Sequence, residues 1–170
     1  MEKTENHSED AVRRILRDYG DMLYRLCLIL LKRTQDAEDA LQETLIKDCR
    51  KAPPFESREH EKAWLIRVAT NQCRDLLRFR SRHPLMEQTQ ERSLWEPESS
   101  GILEALSAVP EPYRIVLTLH YVEEYPVKEI AKIIGRTPSA VKMRLQKGRK
   151  LLEEIYRKEY ISSFLMSFSL

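Results

Sequence analysis

Between residues 126 and 150 the chain runs through a short apolar segment, a single glycine and a strongly basic segment, and this order constrains the fold more than any other feature. Three apolar residues share one face at helical spacing: Ile130, Ala131 and Ile134. Gly135 can adopt the left-handed conformation that ends a helix, and Thr137 can cap a second helix with Pro138 in its first turn. The pattern predicts a helix-turn-helix, whose second helix enters the major groove of DNA in many proteins.

The second helix of this motif contains the most basic part of the chain. VKMRLQKGRK, residues 141–150, has five basic side chains and no carboxylate, whereas the whole chain has 29 Lys and Arg against 27 Asp and Glu. A basic face can be merely solvated, but the lack of acids between Arg136 and Lys150 favours contact with DNA. The base-edge candidates are Ser139, Lys142, Met143 and Gln146. The phosphate candidates are Arg136, Arg144, Lys147, Arg149 and Lys150.

Helical periodicity and sparse glycine indicate the fold class. Four glycines and a charged fraction of 33% are typical of charged helices joined by short turns. The helical period is lost between His83 and Ser100, where four acids stand against one arginine. We therefore predict an all-α chain of two small helical domains, the second a helix-turn-helix, joined by a flexible linker. The expected boundaries are 1–82 for the first domain, 83–100 for the acidic linker, 101–160 for the second domain and 161–170 for an apolar tail.

The first predicted domain has one acidic and one basic helical face. In TQDAEDALQETLIKDCRK one side is mainly apolar, and the other side carries Asp36, Asp39, Gln42 and Glu43. A later helix, KAWLIRVATNQCRDLLRFRSR, has a predicted apolar stripe through Trp64, Leu65, Val68, Ala69, Gln72, Leu76 and Phe79. Asn71, Arg74 and Arg78 are spaced i, i+3 and i+7, so they project together from this helix. The apolar period from residue 9 to residue 32 predicts one helix or two, because Gly20 lies within it.

Several classes of function are disfavoured by what the sequence lacks. It has no Gly-rich phosphate loop, no nucleophile elbow and no His cluster at metal-ligand spacing, so we expect neither an enzyme, a metal site nor a cofactor. Cys27, Cys49 and Cys73 are scattered, as reduced thiols of a cytoplasmic protein would be. The longest apolar run, LCLILL, is too short to insert across a membrane. The polar first residues do not form a signal peptide, which also predicts a cytoplasmic chain.

Two separated segments of the chain resemble one family. RTQDAEDALQETLIK, followed by FESREHEKAWLIRVATNQCRDLLR, resembles region two of a bacterial RNA polymerase sigma factor. SAVPEPYRIVLTLHYVEEYPVKEIAKIIGRTPSAVKMRLQKGRKLL is similar to region four. Their order, with only a short linker between them, resembles the extracytoplasmic-function type, and the matches cover most of residues 10–155. The resemblance implies a protein that binds RNA polymerase core and directs promoter-specific initiation by recognising and melting promoter DNA.

The resemblance also implies roles for individual residues. It predicts that the clamp helices of the polymerase core bind Asp36, Asp39, Gln42 and Glu43. It predicts that the minus-ten element of the promoter, with its flipped base and melted strand, is held by Phe55, Glu56, Ser57, Asn71, Arg74 and Arg78. It predicts that the minus-thirty-five element is read as duplex by Arg136, Ser139, Lys142, Met143, Arg144, Gln146, Lys147 and Arg149. A further implied partner is an anti-sigma protein, frequently membrane-anchored in the family.

A second hypothesis of a different class is an autonomous transcription regulator that binds DNA as a dimer through the same helix-turn-helix. This hypothesis predicts a self-association surface and a palindromic binding site. It leaves the basic side chains between Asn71 and Arg78 without a function.

Overall fold

The computed structural model describes residues 2–83 and 101–167, and those residues fall into two compact units. Both units are built from helices, and neither described range contains a β-strand. The predicted all-α class with two helical units is therefore confirmed. The linker after His83 and the end of the apolar tail lie outside the described residues. No helix in these two ranges is both long enough and apolar enough to cross a bilayer.

The first unit consists of three helices. They are α1 (Glu2–Leu31), α2 (Thr34–Lys51) and α3 (Arg58–Arg82). The first is a single helix, since it continues through Gly20 without interruption. All three helices pack against one another. Their shared core is aliphatic and includes Ile15, Leu23, Leu26, Cys27, Ile29, Leu30, Leu65, Ile66, Ala69 and Cys73.

Local chemistry explains where α2 and α3 begin and end. The acid Asp36 lies in the first turn of α2 and two basic residues lie in its last turn, as the helix dipole favours. Two prolines, Pro53 and Pro54, then prevent the helix from continuing. Ser57 caps α3, because its side chain accepts a hydrogen bond from the His60 backbone N–H at 3.1 Å.

The buried face of α3 differs from the predicted stripe. The residues buried on this helix are Glu61, Leu65, Ile66, Ala69, Thr70 and Cys73. Phe79, predicted to lie on the stripe, is 51% exposed and stacks on His83 with 4.4 Å between ring centroids. The prediction was wrong at this position because helical spacing places Phe79 on one side of α3 but does not show that another helix covers that side. The side chain of Glu61 can be buried since an arginine of α1 neutralises it.

The second unit consists of four helices and contains the predicted motif. They are α4 (Gly101–Ala108), α5 (Glu111–Leu117), α6 (Val127–Ile134) and α7 (Pro138–Ser167). After α5 the backbone widens into a π-helical turn over Thr118–Val122, where the Glu123 N–H donates to the Thr118 carbonyl at 3.1 Å. α7 extends into residues that were expected to form the apolar tail after residue 160. The core of this unit includes Ala105, Val109, Ile115, Val116, Leu117, Leu119, Ile130, Ile133, Ile134, Val141 and Leu145.

Candidate nucleic-acid interface

The turn between α6 and α7 has the conformation that its sequence predicts. Gly135 has φ of 64° and ψ of 46°, in the left-handed region that glycine adopts readily. The Arg136 N–H donates to the Ala131 carbonyl at 2.9 Å, which closes the helix end in a Schellman arrangement. The Thr137 hydroxyl accepts from the Ala140 N–H at 3.2 Å and caps α7. The end of α6 and the start of α7 are thus both fixed by hydrogen bonds within the turn.

The N-terminal half of α7 is anchored by one face and exposes the other. Val141 and Leu145 are buried in the unit, and Gly148 is buried where α7 approaches α5. Met143 is 65% exposed, although a methionine is ordinarily a core side chain. The other predicted contact residues that are exposed are Arg136, Ser139, Lys142, Gln146, Lys147, Arg149 and Lys150. Arg144 is half-buried. The helix therefore presents the polar and basic set that the sequence indicated.

Two cations on this helix also contact aromatic residues of α5 and the π-helical turn. The Lys147 ammonium lies 5.3 Å from the centre of the Tyr113 ring. The Arg149 guanidinium donates to the Tyr121 hydroxyl at 3.1 Å. These contacts restrict both side chains to the flank of the helix. A restricted cation loses less conformational freedom when it meets a phosphate.

Sequence reasoning missed a buried arginine in the second unit. Arg114 on α5 is 4% exposed, and its Nη1 donates to the carbonyls of Ser107 at 2.9 Å and Val109 at 2.7 Å. Those carbonyls lie at the end of α4, where helical carbonyls lack partners within the helix. Arg114 therefore joins α4 to α5 and does not belong to the exposed basic set of α7. The sequence offers no periodicity signal that separates it from the exposed arginines.

In the first unit, the loop between α2 and α3 carries the predicted base-binding residues. We call residues 52–57 the capture loop. Phe55 is half-buried and makes edge-to-face contacts with His60 and Trp64, at centroid distances of 5.6 and 5.7 Å. Glu56 and Ser57 are exposed, and Ser57 additionally caps α3. The loop thus offers one aromatic wall beside polar groups, which is the chemistry that an unstacked base requires.

The basic face of α3 is present and longer than predicted. Asn71 and Arg78 are exposed, and Arg74 is half-buried. Arg78 lies 3.8 Å from Asp75, in an exposed ion pair that contributes little stability. Arg67 and Arg82 are also exposed, four residues before Asn71 and four after Arg78, so they lie on the same side. Extending the helical spacing in both directions would have found them.

One residue of the predicted acidic face of α2 is largely buried against α3. Asp39, Gln42 and Glu43 are exposed on one side of the helix, as predicted. Asp36 keeps only 16% of its side-chain surface and forms ion pairs with Arg80 of α3 and, at 3.7 Å, with Arg33. The position of Asp36 at the first turn of α2 turns its carboxylate toward α3 instead of solvent. The expectation that its carboxylate faces solvent with the other three residues was therefore wrong.

A half-buried ion pair lies next to the capture loop. The Arg14 guanidinium of α1 donates to both carboxylate oxygens of Glu61, at 3.0 and 2.5 Å, while Glu61 is 5% exposed. The Tyr19 hydroxyl lies 3.2 Å from Glu61 Oε2 and 3.4 Å from the Arg58 carbonyl oxygen. Asp18, on the same helix, pairs with Arg58 at 2.8 Å. No sequence pattern predicted a role for any of these residues.

The pKa values of this cluster follow from its geometry. The Arg14 hydrogen bonds lower the pKa of Glu61 despite the opposing effect of burial, and the same bonds raise the pKa of Arg14. Burial, followed by the Glu61 charge, raises the pKa of Tyr19. Burial also raises the pKa of Asp48, at the end of α2, and the Glu61 charge adds to the effect. Asp48 Oδ1 is buried without a hydrogen-bond partner among the described residues.

Metal-binding chemistry has no candidate in the described ranges. No group of three or more His, Cys, Asp or Glu side chains in them could hold a metal ion. Cys27 and Cys73 are buried free thiols.

Both units match known protein families. The family described as "Sigma-70 region 2" matches residues 15–83, and the family described as "Sigma-70, region 4" matches residues 100–152. Together the two matches cover most of the chain, in the order in which the two units occur.

Individual relatives and solved structures agree with these matches. The ECF RNA polymerase sigma factor SigW of Bacillus subtilis is 26% identical over 92% of this chain and 95% of its own length. The RNA polymerase sigma factor SigV of the same organism is 27% identical over 85% and 90%. The sigma factor RpoE of Bartonella quintana, solved with the anti-sigma factor NepR, superimposes with a TM-score of 0.69 at 23% identity, over 85% of this chain and 96% of that one. This last likeness shows a shared fold.

Proposed function

Since this chain belongs to the sigma-70 family, as a sigma factor of the extracytoplasmic-function type, we propose that it binds RNA polymerase core and directs promoter-specific initiation through three surfaces. The observation that carries this proposal is that the two family regions match in order, one on each helical unit. The dimeric-regulator hypothesis is not favoured, because it leaves the whole region-two match without a function. We propose 1–82 and 101–160 as the functional domains, with the linker over 83–100 and the tail over 161–170.

The first surface is the exposed face of α7, which we propose reads the minus-thirty-five element as duplex. Its support is the exposure of Ser139, Lys142, Met143 and Gln146 near the capped end of the helix, where a recognition helix meets base edges. Flanking cations would meet phosphates, among them Arg136, Arg144, Lys147 and Arg149. Each such contact releases counterions, so binding should weaken steeply as salt is added.

The second surface combines the capture loop with the basic face of α3, and we propose that it holds the melted minus-ten element. Phe55 would form the aromatic wall for a flipped base, with hydrogen-bonding groups from Glu56 and Ser57. The strand backbone would follow Asn71, Arg74 and Arg78, and the exposed Arg67 and Arg82 extend that path at both ends. Capturing an unstacked base stabilises the open duplex, which is how a protein without an energy source could favour melting.

The third surface is the exposed acidic side of α2, which we propose docks on the clamp helices of the polymerase core. Asp39, Gln42 and Glu43 supply two charges and an amide on one solvent-facing side. Asp36 is left out of this set because α3 already neutralises it. We propose that Asp36 instead holds α2 against α3, so that Asp39, Gln42 and Glu43 keep their positions.

Regulation and cellular setting complete the proposal. We propose that an anti-sigma protein masks one or more of these surfaces, as the fold-related RpoE is bound by NepR. We expect the chain to act in the cytoplasm, where the polymerase is. We also expect it to have no catalytic activity of its own, because the chemistry of initiation belongs to the polymerase core.

The test is transcription from a pool of random promoter fragments by the purified chain mixed with bacterial core polymerase. Core polymerase alone serves as the control. Recovered templates that share two sequence boxes upstream of the start site would support the proposal and reveal the promoter code. A chain that is folded and free of inhibitor, but neither binds core nor starts transcription, would contradict it.

A further inference from the structure

We propose that Arg14, Tyr19 and Glu61 form a positioning cluster that fixes the capture loop in the conformation that receives promoter DNA. The inference rests on the proposed function, since it assigns the loop's geometry to residues outside the DNA-contacting set. None of the three cluster residues needs to touch DNA. Their effect would pass through the first turn of α3, which follows the loop directly in the chain.

The centre of the cluster is a fork between two helices. Both Arg14 Nη atoms donate to the Glu61 carboxylate, at 3.0 and 2.5 Å, and such a two-point contact fixes orientation as well as distance. Arg14 lies on α1 and Glu61 in the first turn of α3, so the fork locks one helix against the start of the other. Since Glu61 is almost fully buried, water cannot replace Arg14 as its partner at low cost.

Two further contacts from α1 hold the same turn of α3. The Tyr19 hydroxyl lies within donating distance of Glu61 Oε2, at 3.2 Å, and of the Arg58 carbonyl oxygen, at 3.4 Å. The Arg58 guanidinium in turn donates to Asp18 at 2.8 Å. Asp18 and Tyr19 follow Arg14 by one turn of α1, so three adjacent side chains of one helix face a single turn of another.

From this turn, a short series of contacts reaches the capture loop. His60, next to Glu61, donates its backbone N–H to the Ser57 hydroxyl at 3.1 Å, and its ring contacts Phe55 edge-to-face. The Glu56 backbone N–H donates to His60 Nδ1 at a distance of 3.4 Å. A shift of the first turn of α3 would therefore move all three predicted base-binding residues of the loop together.

Only the Glu61 side of this ion pair is buried, because 40% of the Arg14 side chain is exposed. The pair is nevertheless a poor source of net stability, because desolvation of Glu61 offsets part of the attraction between the charges. An apolar pair could fill the same space between α1 and α3, but it would leave the first turn of α3 free to slide. The directional fork prevents such sliding. This is why we assign the cluster to loop geometry and not only to holding the unit together.

The sharpest test is Tyr19→Phe, which removes one hydroxyl and keeps the ring. Holoenzyme would be assayed on a promoter selected by the wild-type chain and on the same promoter with one minus-ten base changed. The readout is the discrimination ratio, which is the transcript yield from the selected promoter divided by the yield from the changed promoter. A smaller active fraction lowers both yields equally and leaves this ratio unchanged. We expect the ratio to fall about two- to tenfold, as the loss of one or two hydrogen bonds allows.

Tyr24→Phe is the matched control. Tyr24 is a half-buried tyrosine of the same helix that makes no hydrogen bond within the described residues, so we expect its discrimination ratio to equal that of wild type. Core affinity and the helical signal in circular dichroism should be the same in both variants.

A charge reversal supplies a second, independent test. Arg14→Glu alone should lower the discrimination ratio, and adding Glu61→Arg should restore part of it. A wild-type ratio in both Tyr19→Phe and Arg14→Glu, with folding and core binding intact, would overturn the positioning role while leaving the proposed function standing. Failure of the wild-type chain itself to direct transcription with core would overturn the proposed function, and this inference with it.

Discussion

Arg80, near the end of α3, forms an ion pair with Asp36 in the first turn of α2, and the two side chains keep only 17% and 16% of their surface exposed. Asp36→Asn should therefore lower the free energy of unfolding by about 1–3 kcal/mol, since a largely buried ion pair loses one of its two charges. By contrast, Asp39→Arg should leave the free energy of unfolding unchanged and should weaken the binding of polymerase core. Chemical denaturation and a pull-down with core, applied to both variants, separate the two roles.

Asp21→Arg is the control for Asp39→Arg, because Asp21 is an exposed acid of the same unit that lies on α1 and not on the proposed docking helix. It changes the net charge equally. Unchanged core affinity in Asp39→Arg, or an equal loss in Asp21→Arg, would contradict the docking assignment.

Gly148 allows α7 to approach α5 closely. A Cβ atom added there would lie 3.1 Å from Leu117 Cδ1 and 3.2 Å from the Tyr113 Cβ atom, closer than ordinary van der Waals contact. Gly148→Ala should therefore destabilise the second unit by about 1 kcal/mol, because overpacking outweighs the gain in helix propensity. Thermal unfolding of the full chain measures the change.

Gly20→Ala is the matched control for this prediction. At Gly20 the added Cβ would make ordinary contacts of 3.6 and 3.9 Å with Leu16, so alanine should stabilise α1 by about 0.5–1 kcal/mol. If Gly148→Ala raised stability as much as Gly20→Ala, the close approach of α7 to α5 would be disproved.

The local features of the helix-turn-helix could be predicted from sequence because each depends on its own residues. Gly135 adopts positive φ and Thr137 caps α7, and both properties follow from residue type and position. The exposed residues of α7 could be predicted in the same way, because helical spacing alone decides which side chains lie on the side away from Val141 and Leu145.

The tertiary ion pairs could not be predicted in this way. Arg14 and Glu61 are 47 residues apart, and nothing in either segment marks them as partners. For the same reason Asp36 was counted with the exposed acids, since periodicity places a residue on a side of its helix but does not say which sides are covered. Phe79 was assigned to the core because its hydrophobicity was considered without the helix that would have to cover it.

Asp48 and Glu61 should change stability with pH in opposite directions. Burial raises the pKa of Asp48 in the folded state, so its contribution is complete below the unfolded pKa of about 3.9 and is lost as pH rises through the folded value. Asp48→Asn should therefore stabilise the first unit at pH 7, and the gain should disappear below about pH 4. Unfolding curves of wild type and of the variant, measured at several pH values between about 3 and about 8, test the sign of this pH dependence.

Glu61 provides the contrast. Its pKa is lowered by Arg14, so its stabilisation is present above the unfolded pKa of about 4.3 and is lost as pH falls through the folded value. Glu61→Gln should cost about 1.5–3 kcal/mol at pH 7 and progressively less in acid. A cost that stays constant with pH would mean that Glu61 acts through its shape and not its charge.

Lys142 should contribute to promoter sequence recognition and not only to general attraction for DNA. It is exposed in the second turn of α7, where a recognition helix meets base edges. Lys142→Ala should weaken binding to the selected minus-thirty-five box by about 1–3 kcal/mol and relax the preference at one base pair. Loss of a phosphate contact would instead lower the slope of log affinity against log salt concentration by about 1 on every duplex alike. Lys132→Ala is the control, since Lys132 is an exposed cation of α6 that already pairs with Glu129 at 2.8 Å. Equal weakening of Lys142→Ala on selected and random duplexes, measured by fluorescence anisotropy at several salt concentrations, would reassign Lys142 to the phosphate-binding set.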